Sequence, residues 1–323
     1  MKTVTSISGD RVYSSGRAFS ELSGVFLQSL AVPSDDRPTV RCVSRNDALS
    51  LVIKARDAIG DPQLRGQAAA RLLDLLEQSG VLQPLPLTEK GAKNVDLYAV
   101  GPQSVETLDP LELLGAMQPA GVACYFTALQ YYGLTTQVPT HHHIAKLVSR
   151  SSAPAALRAT APPNLQKSRR DPLGTLLFTY QSVPYYQTSR GTHTLAGVQL
   201  RQINDRSLTR ITTREQTLLD TLHRPLSCGG LSIVWEAWQS GIAELNEQLL
   251  VQHLQSLNDS KLMRRVAYML SVAGHTPGPL LQSMLDEVRR ALDLELPPAL
   301  LPLFPGLQGV GIDRTWQLEL PVL

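Results

Sequence analysis

"DPQLRGQAAARLLDLLEQSGVLQPLPLTEKGAKNVDLYAVG", residues 61–101, decides how the N-terminal third of this 323-residue chain is read. Asp61 can cap a helix whose first position is Pro62, where the missing N–H costs nothing. Leu64, Ala68, Leu72, Leu75, Leu76 and Ser79 recur at helical spacing on one face, with Gln63, Gln67, Arg71, Asp74 and Gln78 opposite. The spacing predicts a helix over 62–79, ended by Gly80. Two apolar runs, "VLQPLPL" and "VDLYAVG", then flank the Lys/Gly-rich "TEKGAKN" and predict a two-stranded hairpin.

Upstream, Phe19, Leu22, Phe26 and Leu30 predict a helix over 16–30. Ser44, with Asp47 three residues on, is the N-cap of a second helix that runs to Ile59 and stops at Gly60. Three helices followed by a hairpin is the order of a winged helix-turn-helix, whose third helix lies in the major groove while the hairpin touches the backbone. On this reading residues 1–101 form a DNA-binding domain. Gln63, Gln67 and Arg71 offer side chains suited to bidentate contacts with base edges, and Lys90 and Lys93 in the wing meet phosphates. Residues 1–101 carry 12 Lys/Arg against 11 Asp/Glu, so a small helical domain that binds protein, or nothing, is the alternative.

Residues 102–323 form a second region. In 102–212, "GTLLFTYQS", "THTLAGVQLRQI" and "SLTRIT" predict strands, and "RSSAPAALRATAPPNLQKSRRDP" (150–172) a long exposed loop. From 213 on the chain is mostly helical, with predicted helices near 214–223, 229–240, 242–257, 260–273 and 279–292 and a last strand in "RTWQLELPV". The fold class is therefore mixed α/β of the α+β kind: an N-terminal winged helix, an α/β part and a C-terminal helical part.

Charge is uneven. Residues 150–214 hold 10 Lys/Arg against 2 Asp/Glu, and residues 215–323 hold 7 against 12. One reading gives the basic stretch a second anionic contact through Arg169, Arg170, Arg201, Arg206 and Arg210, with flanking DNA or an acidic partner; the other has these charges pairing inside the molecule. The start lacks the apolar stretch of a signal peptide, and the longest uncharged stretch, 113–145 apart from its histidines, is broken by Gln, Pro, Gly and Thr. Three widely separated cysteines suggest neither a disulfide framework nor a zinc site. A cytoplasmic protein away from the membrane is expected.

Candidate chemistry is sparse. In "TTREQTLLDTLHRP" (212–225), Thr213 and Gln216 have capping-box spacing, and Glu215 and His223 complement the two ends of the helix. Leu218, Leu219 and Leu222 give that helix its buried face, so its charges have structural explanations. "HHH" at 141–143 is read as a strand or loop surface feature, since consecutive strand residues alternate faces and no acidic or thiol ligand lies nearby. "DSK" at 259–261 has the wording of a nuclease core, but it opens a helical pattern in which Asp259 is a cap. No phosphate loop, nucleophile elbow or zincin motif occurs, so no enzyme, metal or cofactor is expected.

Residues 121–138, "GVACYFTALQYYGLTTQV", resemble the segment that opens the shared part of the AbiEi family of antitoxins. "TTREQTLLDTLHRPLSCGG" is similar to that family's R-x-x-T-L-L-D…P…GG signature, carried here by Arg214, Thr217, Leu218, Leu219, Asp220, Pro225, Gly229 and Gly230. "RRVAYMLSVAG" and "GIDRTWQLELP" fit its C-terminal helix and final strand. The resemblance covers about residues 115–320. It implies an antitoxin that counteracts a cognate nucleotidyltransferase toxin and represses their shared promoter by binding repeats in double-stranded DNA. Here the N-terminal part is longer than the family's short winged helix, and 150–172 has the look of an insertion. Two other classes stay open: a protein-interaction scaffold that binds no DNA, and a metal-dependent nuclease.

Overall fold

The computed structural model describes residues 9–31, 33, 38–89, 91, 96–101, 108–148, 173–294, 299–307 and 309–321. The chain is an α+β protein, with three separate sheets among the described residues. It divides into two compact units, Met1–Pro119 with Gln202–Thr209, and Ala120–Arg201 with Arg210–Leu323. The sequence places a boundary at 101/102; the N-terminal unit instead runs on through one more helix and takes in a hairpin tip from far along the chain.

In the N-terminal unit, α1 (Gly9–Ser29) starts earlier than expected; Leu22, Phe26 and Leu30 of the predicted stripe are buried, Phe19 is half-buried, and Ala18 is buried beside them. β1 (Cys42–Ser44) leads directly into α2 (Arg45–Ile59). Ser44 caps α2 by accepting from the Asp47 N–H at 3.2 Å, and Gly60 ends it at φ 74°, a left-handed conformation that glycine adopts without strain. α3 (Pro62–Arg65) is capped by Asp61, whose carboxylate accepts from the Gln63 N–H at 2.7 Å.

Here the structure departs from the sequence reading. The helix expected over 62–79 is two helices, because α3 stops at Gly66 and α4 (Ala69–Gln78) starts afresh from Ala68. Glycine is a poor helix former, and the Ala68 side chain has no atom with which to cap the second helix. Leu64 from α3 and Leu72, Leu73 and Leu76 from α4 still reach the same core, which the break leaves intact. β2 (Leu82–Pro84) and β3 (Leu97–Val100) pair antiparallel, Leu82 opposite Val100, and β1 adds to the other side of β3 to give the order β1-β3-β2. The sequence reading has the hairpin and lacks β1.

α5 (Pro110–Met117) carries a complete capping box from Asp109 and Glu112. Glu112 is fully buried and is held by Arg41 at 3.3 Å, Asn204 at 3.1 Å and the Ser207 hydroxyl at 2.5 Å. The tip of the hairpin is also tied by backbone bonds, Val40 N–H to Arg206 O and Leu208 N–H to Pro38 O.

The second unit is built on a six-stranded sheet in the order β6-β7-β5-β4-β9-β8. Its strands are β4 (Val122–Ala123), β5 (His142–Val148), β6 (Thr175–Tyr180), β7 (Val183–Gly191), β8 (Val198–Asn204) and β9 (Ser207–Thr212), with α6 (Phe126–Tyr131) between β4 and β5. The helices α7 (Arg214–His223), α8 (Leu231–Gly241), α9 (Glu247–Leu257), α10 (Ser260–Val272) and α11 (Pro279–Leu294) follow. A small sheet, β10-β12-β11 (Leu301–Pro302, Leu318–Leu320, Gly311–Asp313), closes the chain. The core gathers Tyr125, Phe126, Leu218, Leu222, Trp238, Leu250, Val266 and Phe304. No helix among the described residues is long and apolar enough to cross a membrane.

Candidate nucleic-acid interface and the buried polar cluster

The split between α3 and α4 redistributes the expected reading side chains. Gln63 is exposed on α3 and Arg71 is exposed on α4, but Gln67 lies in the break between them and is half-buried. The Gln67 backbone carbonyl accepts from Arg56 at 3.3 Å, and its side-chain oxygen is buried without a partner. The three residues therefore do not form one continuous helical stripe. The outward face of α4 is Ala70, Arg71, Asp74 and Gln78, so Arg71 is its one cation and Asp74, three residues on, opposes phosphate. Lys54 on α2 and Arg65 on α3 are exposed cations that the stripe-based reading passed over. Lys90 and Lys93 lie outside the described residues.

The five arginines assigned to a second anionic contact do not form one group. Arg169 and Arg170 lie outside the described residues. Arg206, exposed at the hairpin turn, belongs to the N-terminal unit, whereas Arg201, exposed on β8, and Arg210, half-buried on β9, belong to the other. Two further cations of the basic stretch pair with acidic side chains of the same unit, the first in the interior and the second at the surface. Arg190 on β7 meets Asp220 on α7 at 2.7 Å with both side chains buried, and Arg214 meets Glu244 at 2.5 Å. For these two, the alternative of charges pairing inside the molecule is what the fold uses.

Around α7 the polar side chains form one internal network. Thr213 caps the helix, accepting from the Gln216 N–H at 3.2 Å, while its hydroxyl also meets His253 Nε2 at 2.9 Å. The second half of the expected capping box is absent. The Gln216 amide oxygen accepts from the Ala196 and Gly197 N–H groups, its amide nitrogen donates to Asp220, and the Thr213 N–H goes to the Gly197 carbonyl. Arg190 also donates to the Thr194 carbonyl at 2.7 Å. Thr221 accepts from the Trp238 indole at 3.0 Å, and Glu215 accepts from the Asn246 N–H at 3.1 Å, where α9 begins. Gly229, at φ 93°, has no room for a side chain, since a Cβ would stand 2.4 Å from Ile233 and 2.7 Å from Phe126. Burial raises the Cys124 and Cys228 thiols, keeping them neutral. His223 is exposed at the end of α7, yet its pKa is lowered, first by partial desolvation and then by the Arg190 guanidinium.

The three histidines are not a surface feature. His141, His142 and His143 are buried, the latter two on a central strand with β7 on one side and β4 on the other. Strand alternation sends His141 and His143 to one side, ring centroids 4.9 Å apart, with Tyr186 stacked on His143 at 5.5 Å. His142 goes to the other side against Tyr185 at 5.0 Å. The Leu173 carbonyl 2.9 Å from His143 Nε2 can only accept, so Nε2 carries the proton and the buried Nδ1 is left without a partner. Desolvation, and then the neighbouring His141, pushes His142 down to about 4 and His143 to about 3.

Asp259 caps α10 through the Lys261 and Leu262 N–H groups, at 2.9 and 3.2 Å. Among the described residues no group of three His, Cys, Asp or Glu side chains is placed to hold a metal.

No family model matches the chain, and no curated protein relative matches it. Among solved structures it is similar to the RV2827C protein from Mycobacterium tuberculosis, at 14% identity and a TM-score of 0.50, over 93% of this chain and 91% of that one. At that identity the likeness speaks for the fold alone, and it extends through both units.

Proposed function

We propose that this chain is a DNA-binding antitoxin: it represses the promoter of its own toxin–antitoxin operon and counteracts a cognate nucleotidyltransferase toxin. One observation carries the DNA-binding part. α2, α3 and α4 are followed by the hairpin β2–β3, with β1 on the far side of β3, which is the order of a winged helix-turn-helix. In that arrangement α4 is the helix offered to the major groove. Arg71 stands on its exposed face, with Gln63 and Arg65 exposed on the helix before it. The antitoxin part is supported by the AbiEi-like wording of residues 212–230.

With so few exposed cations on α2–α4, recognition leans on base contacts more than on bulk charge. Double-stranded DNA taken from upstream of the gene should bind the full chain. The logarithm of its affinity should fall with that of salt, with a slope of about −0.9 per phosphate contact. The reading requires a nucleotidyltransferase gene beside this one, and co-expression with that gene should restore growth. A chain that shifts no upstream DNA at low salt, yet rescues growth, would instead be the protein-interaction scaffold.

A further inference from the structure

The two carboxylate oxygens of the buried Glu112 are served from different parts of the chain. Oε2 accepts from the Asp109 N–H at 2.9 Å and from Arg41 at 3.3 Å. Oε1, among the described residues, accepts from the tip of the β8–β9 hairpin alone: from Asn204 Nδ2 at 3.1 Å and from the Ser207 hydroxyl at 2.5 Å. A carboxylate oxygen only accepts, so the Ser207 proton goes to Glu112, and Thr39, 3.0 Å away, donates to Ser207. Thr39 Oγ1 in turn accepts from the Arg41 N–H at 3.2 Å.

Thr39 and Ser207 are buried and form an antiparallel bridge with a backbone bond on either side. The Val40 N–H donates to Arg206 O at 3.1 Å and the Leu208 N–H to Pro38 O at 2.6 Å. What the tip grips is the approach to the wing. Residues 38–41 run into β1, whose last residue, Ser44, caps α2, and the Arg41 carbonyl accepts from the Val100 N–H of β3 at 2.9 Å. A polar network of this kind holds as a unit, since with the tip away Oε1 keeps no donor.

We propose that the hairpin tip is a clasp with a docked and a released state, and that the wing sheet keeps its DNA-binding form only while the clasp is docked. The arms that deliver the tip, 198–201 and 210–212, belong to the other unit and its six-stranded sheet. DNA binding is then a property of the whole chain, open to control through β8 and β9, and not of its first hundred residues alone. The DNA part rests on the function proposed above; the coupling of tip to wing does not.

Amide hydrogen exchange on the full chain tests the coupling. Ser207→Ala removes one donor to Oε1 and the acceptor for Thr39. It should speed exchange at Val40, Leu208 and Val100 by about tenfold and leave Thr217 and Val234 in the other unit unchanged. Asp205→Asn, exposed in the same turn, should change none of them. A second variant is reversible. The backbone bonds flank the Thr39–Ser207 pair, so it is the close kind, with Cα atoms about 4.5 Å apart and within disulfide reach. The native cysteines are all buried. Oxidised Thr39→Cys/Ser207→Cys should therefore hold the clasp shut, with slow exchange at Val100 and full affinity for upstream DNA. Reduction should release it, speeding that exchange and weakening DNA binding by about tenfold. Exchange at Val40 and Val100 that is the same in Ser207→Ala as in the wild type would overturn the proposal, as would a double variant whose exchange ignores reduction. Exchange that follows the clasp while DNA affinity does not would overturn the control of DNA binding, and a wild type that binds no upstream DNA would overturn the DNA reading instead.

Discussion

The two units use polar side chains in opposite ways. In the N-terminal unit, apart from the Glu112 network, they sit at helix ends and on outward faces: Ser44 and Asp61 as caps, Arg65, Arg71, Asp74 and Gln78 towards solvent. In the other unit they are interior. Thr212, Glu215, Gln216, Thr217, Asp220, Thr221 and Arg190 are all buried and hydrogen-bonded among themselves or to backbone. A run of charged and polar residues thus carries opposite meanings in the two places. Where the fold leaves it outside it is available to a partner, and where the fold consumes it the residues specify a structure.

The comparison breaks first, and with the largest effect, at Asp220. Asp220→Ala leaves Arg190 buried and unpaired, which should cost about 3–5 kcal/mol in urea unfolding of the full chain. Binding of upstream DNA by the fraction that remains folded should be unaltered. A variant of wild-type stability would mean that the cluster is open to solvent and available to a ligand.

Acid comes next. His142 and His143 are held neutral below the usual imidazole range, so between pH about 6.5 and about 4 the unfolded chain binds more protons than the folded one. Stability therefore rises with pH across that window and is lost as pH falls through it. The depression of His142 alone amounts to about 3 kcal/mol at the acid end. A melting temperature that stays level from pH 7 to pH 4 would contradict the burial of these rings. His142→Phe, beside Tyr185, should flatten the profile.

Thr213→Ala should cost about 0.5–2 kcal/mol, as a lost N-cap, and leave DNA binding untouched. Should it weaken DNA binding without lowering the melting temperature, the α7 motif would have a role outside folding.

Much of the local grammar was legible. Ser44, Gly60, Asp61, Pro62, Thr213 and Asp259 all act at the helix ends where their residue types belong, because a cap depends on atoms a few residues away. What depends on distant partners was not legible. The Arg190 side chain is explained by Asp220, 30 positions on, and β7 itself, "VPYYQTSRG", has no clean alternation. Three adjacent histidines read as polar until a sheet places β7 and β4 on either side of them. The helix break at Gly66–Ala68 was open to prediction, since a glycine beside an uncapped start is its local cause, but the unbroken apolar stripe across it outweighed that signal.

The central claim is that α4 reads DNA, and Arg71 is where it is most exposed to test. Binding isotherms of the full chain, wild type and Arg71→Ala, should be measured at one salt concentration on upstream DNA and on a scrambled duplex of equal length. Loss of one bidentate contact predicts that Arg71→Ala loses about 1–3 kcal/mol of discrimination between the two duplexes. Its melting temperature should be unchanged, since the side chain is exposed on a helix that the core holds through Leu72, Leu73 and Leu76. An Arg71→Ala protein that binds upstream DNA as tightly and as selectively as the wild type would contradict the claim.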